Sequence, residues 1–416
     1  MKTSLISDRF ADNGKIHIEV SEIQTKYIDI FKKKCLDGQY SFRERECECG
    51  RGDLEVIAQR DRYGIPVNTV ICRNCGLIMT DPCLDDHSNN SFYDNEYPYI
   101  YRAEEKPTDL NFAKRMNNAR DIIAFIRRHT GILEGDVLEI GCADGGNVAE
   151  FCNSGYKASG IDLSHTYVEY GKRKGLDLYC CDASSFAKRG HKYDIVVLNH
   201  VLEHFTDIGR ETGIIRDLLK PQGCLFIAVP GVKYLTFGAY EADFLLMLQN
   251  AHIFNFTKRS LINVMRKYGF ASIYCNETIW GVFRPDEPVE SFENVYEDTI
   301  QYLRKIEDAG GSIKELLIDR ATEILSSFGD GEVVLYGTAA ELDELVGHLL
   351  RVSMIKGFFY TDSKSPSEVI KYLATDTSVR CVFLADNNSD KYLADSLLDP
   401  LYTSGIRLYS VYNETF

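Results

Sequence analysis

No stretch of the 416-residue sequence stays apolar for the roughly 20 residues that a membrane-crossing helix requires. The longest apolar runs, such as Ile195-Val-Val-Leu198, are strand-sized. The opening residues, Met1-Lys-Thr-Ser-Leu-Ile-Ser-Asp-Arg9, lack the apolar core of a secretory signal, so a cytoplasmic address is expected. Positive charge is also short. With 47 Lys and Arg against 62 Asp and Glu, the formal net charge is −15, and the chain has no basic stripe of the kind that grips nucleic acid. A small, soluble substrate is expected instead. The local run Lys172-Arg173-Lys174 reads as an exposed helix face. Internal repeats and low-complexity tracts are absent, and nothing in the sequence speaks for one oligomeric state over another.

Cysteine, in contrast, is plentiful: 13 residues, an odd number. Most fall within strand-like or loop contexts (Cys142, Cys152, Cys224, Cys381) and read as reduced thiols. Hydrophobic content of 44% and charged content of 26% are those of an ordinary folded protein, and the length calls for two or three domains.

Along the chain, residues 1–40 hold one amphipathic helix near Val20 to Lys34. Residues 41–106 carry paired cysteines and an aromatic linker. Residues 107–285 begin with a helix near Leu110 to Arg128 and then alternate strand and helix. Strands are predicted at Val137–Ile140, Ala158–Asp162, Leu178–Cys181, Ile195–Leu198 and Cys224–Val229. Helices are predicted at Asn147–Asn153 and Tyr167–Lys174. Such alternation implies an α/β fold with a mostly parallel sheet and helices on both faces. Residues 286–328 read as an acidic helical connector. Residues 329–416 form a smaller α/β domain, with strands at Val333–Gly337, Ile355–Tyr360, Val379–Ala385 and Ile406–Val411 and a helix at Ala340–Leu350.

The segment Val137-Leu-Glu139-Ile-Gly141-Cys-Ala143-Asp-Gly145-Gly146 carries the most chemistry. A strand ends near Glu139, and a turn of small residues leads directly into a helix, letting the backbone approach a ligand closely. A dinucleotide fold would also use a glycine-rich turn, but Glu139 would repel a pyrophosphate, and Ala143 replaces that fingerprint's middle glycine. A cationic nucleoside cofactor fits better. Asp162, followed by Leu163, ends the second strand, where a carboxylate accepts both ribose hydroxyls. Asp182, followed by Ala183, is placed after the third strand to accept from an adenine amino group. Asn199 and His200 follow the fourth. All lie at carboxyl ends of strands, where open α/β sheets bind ligands.

Cys47-Glu-Cys49 and Cys72-Arg-Asn-Cys75 are separated by 22 residues. Two thiolate pairs at this distance can make a four-cysteine site for structural zinc, closing a loop-rich segment too small to build its own core. The tight Cys47-x-Cys49 spacing leaves Cys35 or Cys83 open as a replacement ligand. Free structural cysteines and a redox pair are the alternatives.

The stretch from Glu139 to Gly145, together with Asp162, Asp182, Val201-Leu-Glu-His204 and Lys220-Pro-Gln-Gly223, resembles the Rossmann-like class I methyltransferases. That resemblance implies S-adenosylmethionine bound by Glu139, Gly141, Ala143, Gly145, Asp162, Leu163, Asp182, Ala183 and Asn199. Adding the cysteine pairs and Phe92-Tyr-Asp-Asn-Glu-Tyr97, the chain resembles the zinc-containing bacterial sugar methyltransferases of deoxysugar and surface-polysaccharide pathways. A sugar acceptor, nucleotide-linked or a polysaccharide precursor, is what that likeness implies. Those relatives also carry a C-terminal βα domain opening on a Tyr-Gly turn, comparable to Tyr336-Gly337, although Ala339-Ala-Glu-Leu-Asp343 replaces their glycine- and lysine-rich continuation.

Methyl transfer to a hydroxyl benefits from a general base, and histidine suits that task. His252, His204 and His200 are the candidates. His252 corresponds to the histidine of a catalytic Glu-His pair in the C-methyltransferases, but Ala251 precedes it here, which favours oxygen over carbon as the methylated atom. Tyr97 and Tyr101 are the candidate acceptor-binding residues, against the competing reading of an aromatic core. A methyltransferase for another small molecule, such as a natural-product or quinone-type acceptor, and a non-catalytic scaffold are the alternative functions.

Overall fold

The computed structural model describes residues 2–102, 106–237 and 239–310, and beyond these the backbone of four strands. The chain divides into two units, one comprising Met1–Val232 with Leu245–Leu303, the other Lys233–Phe244 with Arg304–Phe416. Among the described residues no helix is long and apolar enough to cross a membrane.

The first unit opens with β1 (Lys2–Thr3), helix α1 (Glu22–Leu36) and β2 (Phe42–Arg43). Ser21 caps α1: its side chain accepts from the Gln24 amide while the Gln24 side chain returns to the Ser21 amide, so both donors are satisfied at the helix start. There follow β3 (Leu54–Arg60), β4 (Pro66–Cys72), β5 (Ile78–Thr80), β6 (Cys83–Leu84) and α2 (Asp86–Asn95). A long helix, α3 (Asp109–Thr130), starts on the Thr108 cap and stops at Gly131, whose φ of 71° ends the helix in the left-handed region.

The α/β series is β7 (Asp136–Ile140), α4 (Gly146–Asn153), β8 (Lys157–Asp162), α5 (His165–Arg173), β9 (Leu178–Cys180), α6 (Ala183–Ala187), β10 (Tyr193–Asn199), α7 (Ile208–Leu218) and β11 (Leu219–Ala228). After α8 (Phe244–Met247), the chain continues through β12 (Phe254–Asn255), α9 (Lys258–Lys267), β13 (Phe270–Cys275) and β14 (Trp280–Pro285). A helix α10 (Tyr296–Asp308) follows.

Seven strands form one sheet in the order β13-β14-β11-β10-β7-β8-β9. Strands β11, β10, β7, β8 and β9 run parallel, as the alternation implied. The sheet as a whole is mixed, because β14 lies antiparallel to β11 and β13 antiparallel to β14. Only four residues, 276–279, join β13 to β14, too few for the crossover that a parallel pair needs. Period-2 burial fills both faces. Leu138, Val196, Leu198, Leu225 and Ile227 pack on one side, and Val137, Ile195, Val197, Cys224 and Phe226 on the other.

The N-terminal segment does not stand apart from this sheet. Its five strands run in the order β1-β3-β4-β5-β12, so the last is contributed by residues 254 and 255. The apolar cluster that contains Leu138 and Leu198 also contains Leu54, Val56, Val70, Leu77 and Met79.

In the second unit, four strands, β15 (Glu332–Gly337), β16 (Ile355–Tyr360), β17 (Val379–Ala385) and β18 (Arg407–Ser410), form a parallel sheet in the order β16-β15-β17-β18. These lie where the sequence pattern put them. The expected helix at 340–350 and residues 311–328 of the expected connector fall outside the described residues.

Candidate active site

The chain runs outward from β7 through β8 to β9 at one edge and then returns to β10 on the other side of β7. That reversal opens a crevice at the carboxyl ends of β7 and β10, where doubly wound sheets bind ligands. Glu139 and Ile140 end β7, Asp162 ends β8, Cys180 ends β9 and Asn199 ends β10.

The turn after β7 is tied down by its neighbour. The amides of Gly141 and Cys142 donate to the Ile161 carbonyl at 2.8 and 3.0 Å. Gly141, Ala143 and Gly145 all have positive φ, at 75°, 48° and 79°. A Cβ on Gly141 would lie 2.5 Å from Cγ2 of Val201, so glycine is required there on space as well as conformation. Ala143 holds a left-handed conformation without that freedom, a local strain of about 1 kcal/mol of the kind found at ligand sites. Its amide is fixed by Asp162, whose Oδ2 accepts from Ala143 N and whose Oδ1 accepts from Ser164 N, each at 2.8 Å. Each oxygen keeps a second acceptor position for an incoming hydroxyl. Leu163 beside it is 69% exposed, a large apolar side chain left open at the strand end.

Glu139 is buried, with Oε1 accepting from Asn147 Nδ2 at 2.6 Å and Oε2 without a hydrogen-bond partner among the described residues. Burial pushes its carboxyl up to about 8, the Asn147 hydrogen bond pulling the other way. A buried carboxyl of this kind fits a cationic ligand group, whose charge would favour its ionised form. Asp182 follows β9 and starts the next helix. It caps α6, accepting from Ser185 N at 2.7 Å and Ser185 Oγ at 3.0 Å, and the backbone hydrogen bond draws its carboxyl below the usual range. Ala183 behind it is buried, and Asn199 is half-buried at the crevice.

Beyond β10 lies a cluster that the sequence showed only in part. Glu203 is 1% exposed, and neither of its oxygens has a hydrogen-bond partner among the described residues. Three imidazole nitrogens stand around Oε1 instead: His200 Nδ1 at 3.4 Å, His252 Nε2 at 3.9 Å and His204 Nε2 at 4.0 Å. Burial alone would push this carboxyl up; the contact with His200 first, and then the other imidazoles beside it, bring it down to about 2. His252 behaves in the opposite way. Burial first, and then the neighbouring His204, hold it well below its ordinary value, so it is neutral at pH 7. His200 keeps 61% of its side chain exposed, yet its Nδ1 faces inward; burial of that edge lowers its basicity and Glu203 raises it by more. Its φ of 56° is a second strained position at a strand end.

His204 has a defined tautomer. Its Nδ1 lies 2.8 Å from the Ala251 carbonyl, which can only accept, so Nδ1 carries the proton and Nε2 faces Glu203. The Tyr93 hydroxyl also lies 2.8 Å from Nδ1. Tyr93 stacks on Tyr97 with ring centroids 4.5 Å apart, and Tyr97 packs against Tyr101 at 5.0 Å and edge-on to His204 at 6.2 Å. The histidines and tyrosines singled out in sequence thus meet in one place. Glu203, Tyr93 and Gln249 join them; Leu-Glu-His and the aromatic run were the visible signals for the first two. Ligand atoms of Glu203, His204 and His252 lie within 4.8 Å of one another, close enough for a cation. The Gln249 amide nitrogen lies against the His252 ring, however, 3.1 Å from Nδ1 and in contact with Nε2. That arrangement suits proton handling.

A second cluster sits at the other end of the N-terminal sheet. The sulfurs of Cys47, Cys49, Cys72 and Cys75 lie within 4.8 Å of one another, with Cys47–Cys75 at 3.4 Å and Cys49–Cys72 at 3.7 Å. Sulfurs around a zinc ion with bonds of about 2.3 Å would be ~3.8 Å apart, so the donor set fits tetrahedral coordination. The second pair sits in a tight turn, where Gly76 N donates to the Cys72 carbonyl at 2.7 Å and Cys72 N to the Leu77 carbonyl at 2.9 Å. Cys83 is outside the cluster, its sulfur accepting from Arg45 Nη1 at 3.6 Å, and Cys35 is outside it too.

Comparison with known proteins agrees with the fold. Residues 112–274 match the model of a family described as a methyltransferase domain. The match is of this segment alone, and the segment's architecture is Rossmann-like with a mixed sheet. A ubiquinone biosynthesis O-methyltransferase of Bartonella tribocorum is 29% identical over 98 residues, covering 22% of this chain and 40% of that protein. One from Brucella anthropi is 31% identical over 98 residues, with the same coverage. The chain therefore spans about two fifths of the length of these curated relatives. The solved 1,6-didemethyltoxoflavin-N1-methyltransferase of Burkholderia thailandensis, with bound S-adenosylhomocysteine, aligns with 51% of this chain and 96% of its own, at 17% identity and a TM-score of 0.37.

Proposed function

We propose that this protein is an S-adenosylmethionine-dependent methyltransferase that methylates a hydroxyl of a small molecule. The observation that carries the reading is a single edge of one sheet. Asp162 holds the strained Ala143 turn there, and two strands away a buried Glu203 is ringed by imidazoles. Glu139, Gly141, Ala143, Gly145, Asp162, Leu163, Asp182, Ala183 and Asn199 would hold the cofactor, which when bound supplies an electrophilic methyl group. The buried, partnerless Oε2 of Glu139 and the close approach allowed by Gly141 support that assignment.

On the acceptor side, His204 is the general base best supported by geometry. Its Nδ1 proton is committed to the Ala251 carbonyl, which leaves Nε2 basic, and Glu203 stabilises the imidazolium formed when a hydroxyl gives up its proton. His252, covered by Gln249 and held neutral, backs this pair, and His200 stands at the exposed side. Tyr97 and Tyr101, with Tyr93, line the aromatic side of the acceptor position. The Cys47, Cys49, Cys72 and Cys75 cluster would bind a structural zinc ion; four thiolates leave no open position for catalysis.

The acceptor favoured by the N-terminal cysteine pairs and aromatic linker is a sugar, nucleotide-linked or a glycan precursor, methylated on oxygen. A phenolic quinone-type acceptor is the second reading, favoured by the curated relatives, which are named ubiquinone biosynthesis O-methyltransferases. Calorimetric titration with S-adenosylhomocysteine, alongside Asp162→Ala, tests the core of the proposal. Binding by the wild type that the substitution abolishes supports it; no binding by the metal-replete wild type sinks it. Incubation with S-adenosylmethionine and panels of nucleotide sugars or catechols, read by mass, then separates the two acceptors.

A further inference from the structure

The acceptor-side histidines belong by sequence to the methyltransferase domain, but the contacts that place His252 come from the N-terminal sheet. The turn between β3 and β4 carries Asp61 and Arg62. Asp61 is fully buried. Its Oδ1 accepts from the amides of Tyr63 and Ile65, each at 2.9 Å, which closes its own turn. Its Oδ2 accepts from the amide of Asn250 at 3.0 Å, a residue 189 positions away.

Arg62 grips the same loop from the next position. Its amide donates to the Leu248 carbonyl at 3.1 Å, its Nη1 to the Leu246 carbonyl at 2.8 Å and its Nη2 to Gln249 Oε1 at 3.3 Å. Gln249 is the residue whose amide nitrogen lies against the His252 ring. Further along, Thr80 Oγ1 donates to the His252 carbonyl at 3.0 Å, and Thr80 N to the Ile253 carbonyl at 2.8 Å. Phe254 and Asn255 then pair with Met79 and Ile78 as the last strand of that sheet. Residues 246–255 are thus hydrogen-bonded to the N-terminal sheet along their length. The link to the methyltransferase sheet is narrower: Ile253 N donates to the Glu203 carbonyl at 2.8 Å, and the Ala251 carbonyl accepts from His204.

We infer that the N-terminal sheet is the acceptor-side half of the active site, and that Asp61 and Arg62 are positioning residues that set His252, and through Ala251 His204, against Glu203. The inference rests on the reading of this cluster as the acceptor site. Without the Asp61 and Arg62 contacts, nothing described on that side holds Gln249 over His252, and the imidazole gains water.

Asp61→Asn and Arg62→Met in the full-length protein test this. The asparagine can keep its carbonyl on Tyr63 and Ile65, but it turns an amide group toward the Asn250 N–H, so it breaks the long-range bond selectively. Three readouts are taken together: the titration of the His252 ring by NMR of histidine-labelled protein, amide exchange over residues 246–256, and calorimetric affinity for S-adenosylhomocysteine. The expected result is a His252 pKa raised toward its ordinary value by about one unit, faster exchange confined to that loop, and cofactor affinity within about twofold of wild type. An unchanged His252 titration in both variants overturns the inference. So does loss of cofactor binding in step with exchange across the whole unit, which would make both residues general supports of the fold. A wild type that binds no S-adenosylhomocysteine would defeat the methyltransferase reading while leaving the His252 and exchange measurements to decide the positioning role.

Discussion

Glu203 Oε1 lies 3.9 Å from Nε2 of His252, and the two groups have their ionisation driven in opposite directions by one buried cluster. The carboxylate is kept charged by surrounding imidazoles, while His252 is kept neutral by burial and by His204.

Stability should therefore fall on mild acidification. Below about 6.5 the unfolded chain protonates this histidine and the folded chain refuses the proton, so each pH unit costs up to about 1.4 kcal/mol through His252 alone. Glu203 acts lower in the range, since its depressed carboxyl stabilises the fold above its unfolded value of about 4.3 and loses that contribution as pH falls toward 2. Urea denaturation of wild type and His252→Gln between pH 7 and pH 5 checks the first effect. The wild-type midpoint should drop steeply and the variant's should be flatter; parallel curves would mean that His252 titrates normally in the fold.

Glu139 presents the mirror case, a buried carboxyl pushed up to about 8. Raised above its unfolded value, it favours the fold at low pH, and that contribution is lost as pH rises toward 8. A cationic cofactor group brought near it reverses the preference and ionises the acid. Binding of S-adenosylhomocysteine, which carries an ammonium group, should then release close to one proton per site at pH 6.5. Calorimetry in buffers of different ionisation enthalpy measures this number, and Glu139→Gln should bring it near zero. Equal proton release by wild type and variant would place the cationic group elsewhere.

Much of this arrangement was legible in the sequence because it rests on local signals. The strands of the parallel sheet announced themselves by short apolar runs, and the Gly141–Gly145 turn by its small residues. The β13–β14 hairpin did not register, because its strands are interrupted by polar and half-buried residues such as Ser272, Tyr274 and Arg284. Nor did the pairing of Ile78 and Met79 with Asn255 and Phe254, since a two-residue strand has no period to read. That Asp182 also caps a helix, its two oxygens accepting from Ser185, was not read from the sequence, because the cap lies in the short helix of residues 183–187. Glu203 was visible only as part of a Leu-Glu-His run, and what marks it out, a buried carboxylate between three rings, exists only after the chain brings residues 200, 204 and 252 together.

The cysteine cluster carries a prediction that needs no substrate. Purified under reducing conditions, the protein should contain one zinc per chain, and Cys75→Ser should abolish it, because a buried three-sulfur remainder loses a ligand at about 2.3 Å that a hydroxyl replaces poorly. The Cys72–Cys75 turn leads within three residues into Ile78, the start of β5, so metal loss should also lower the thermal midpoint and loosen the β5–β12 pairing. Metal analysis with amide exchange at residues 78–80 checks both effects. A metal-free wild type of full stability would leave the four thiols as packing residues.

The assignment of His204 as base makes its neighbours separable by kinetics once an acceptor is in hand. His204→Asn should lower kcat by about 10²- to 10⁴-fold, the usual contribution of a positioned general base, while leaving S-adenosylhomocysteine affinity unchanged, since its side chain meets Tyr93, Ala251 and Glu203 on the acceptor side. Tyr93→Phe removes the hydroxyl 2.8 Å from Nδ1 but leaves the Ala251 carbonyl in place, so the tautomer survives and the loss should be smaller, on the order of tenfold. Glu203→Gln should also lower kcat, because the imidazolium formed in proton transfer loses the carboxylate that faces its Nε2 at 4.0 Å. Activity that survives in His204→Asn but is lost in His252→Gln would transfer the base to His252.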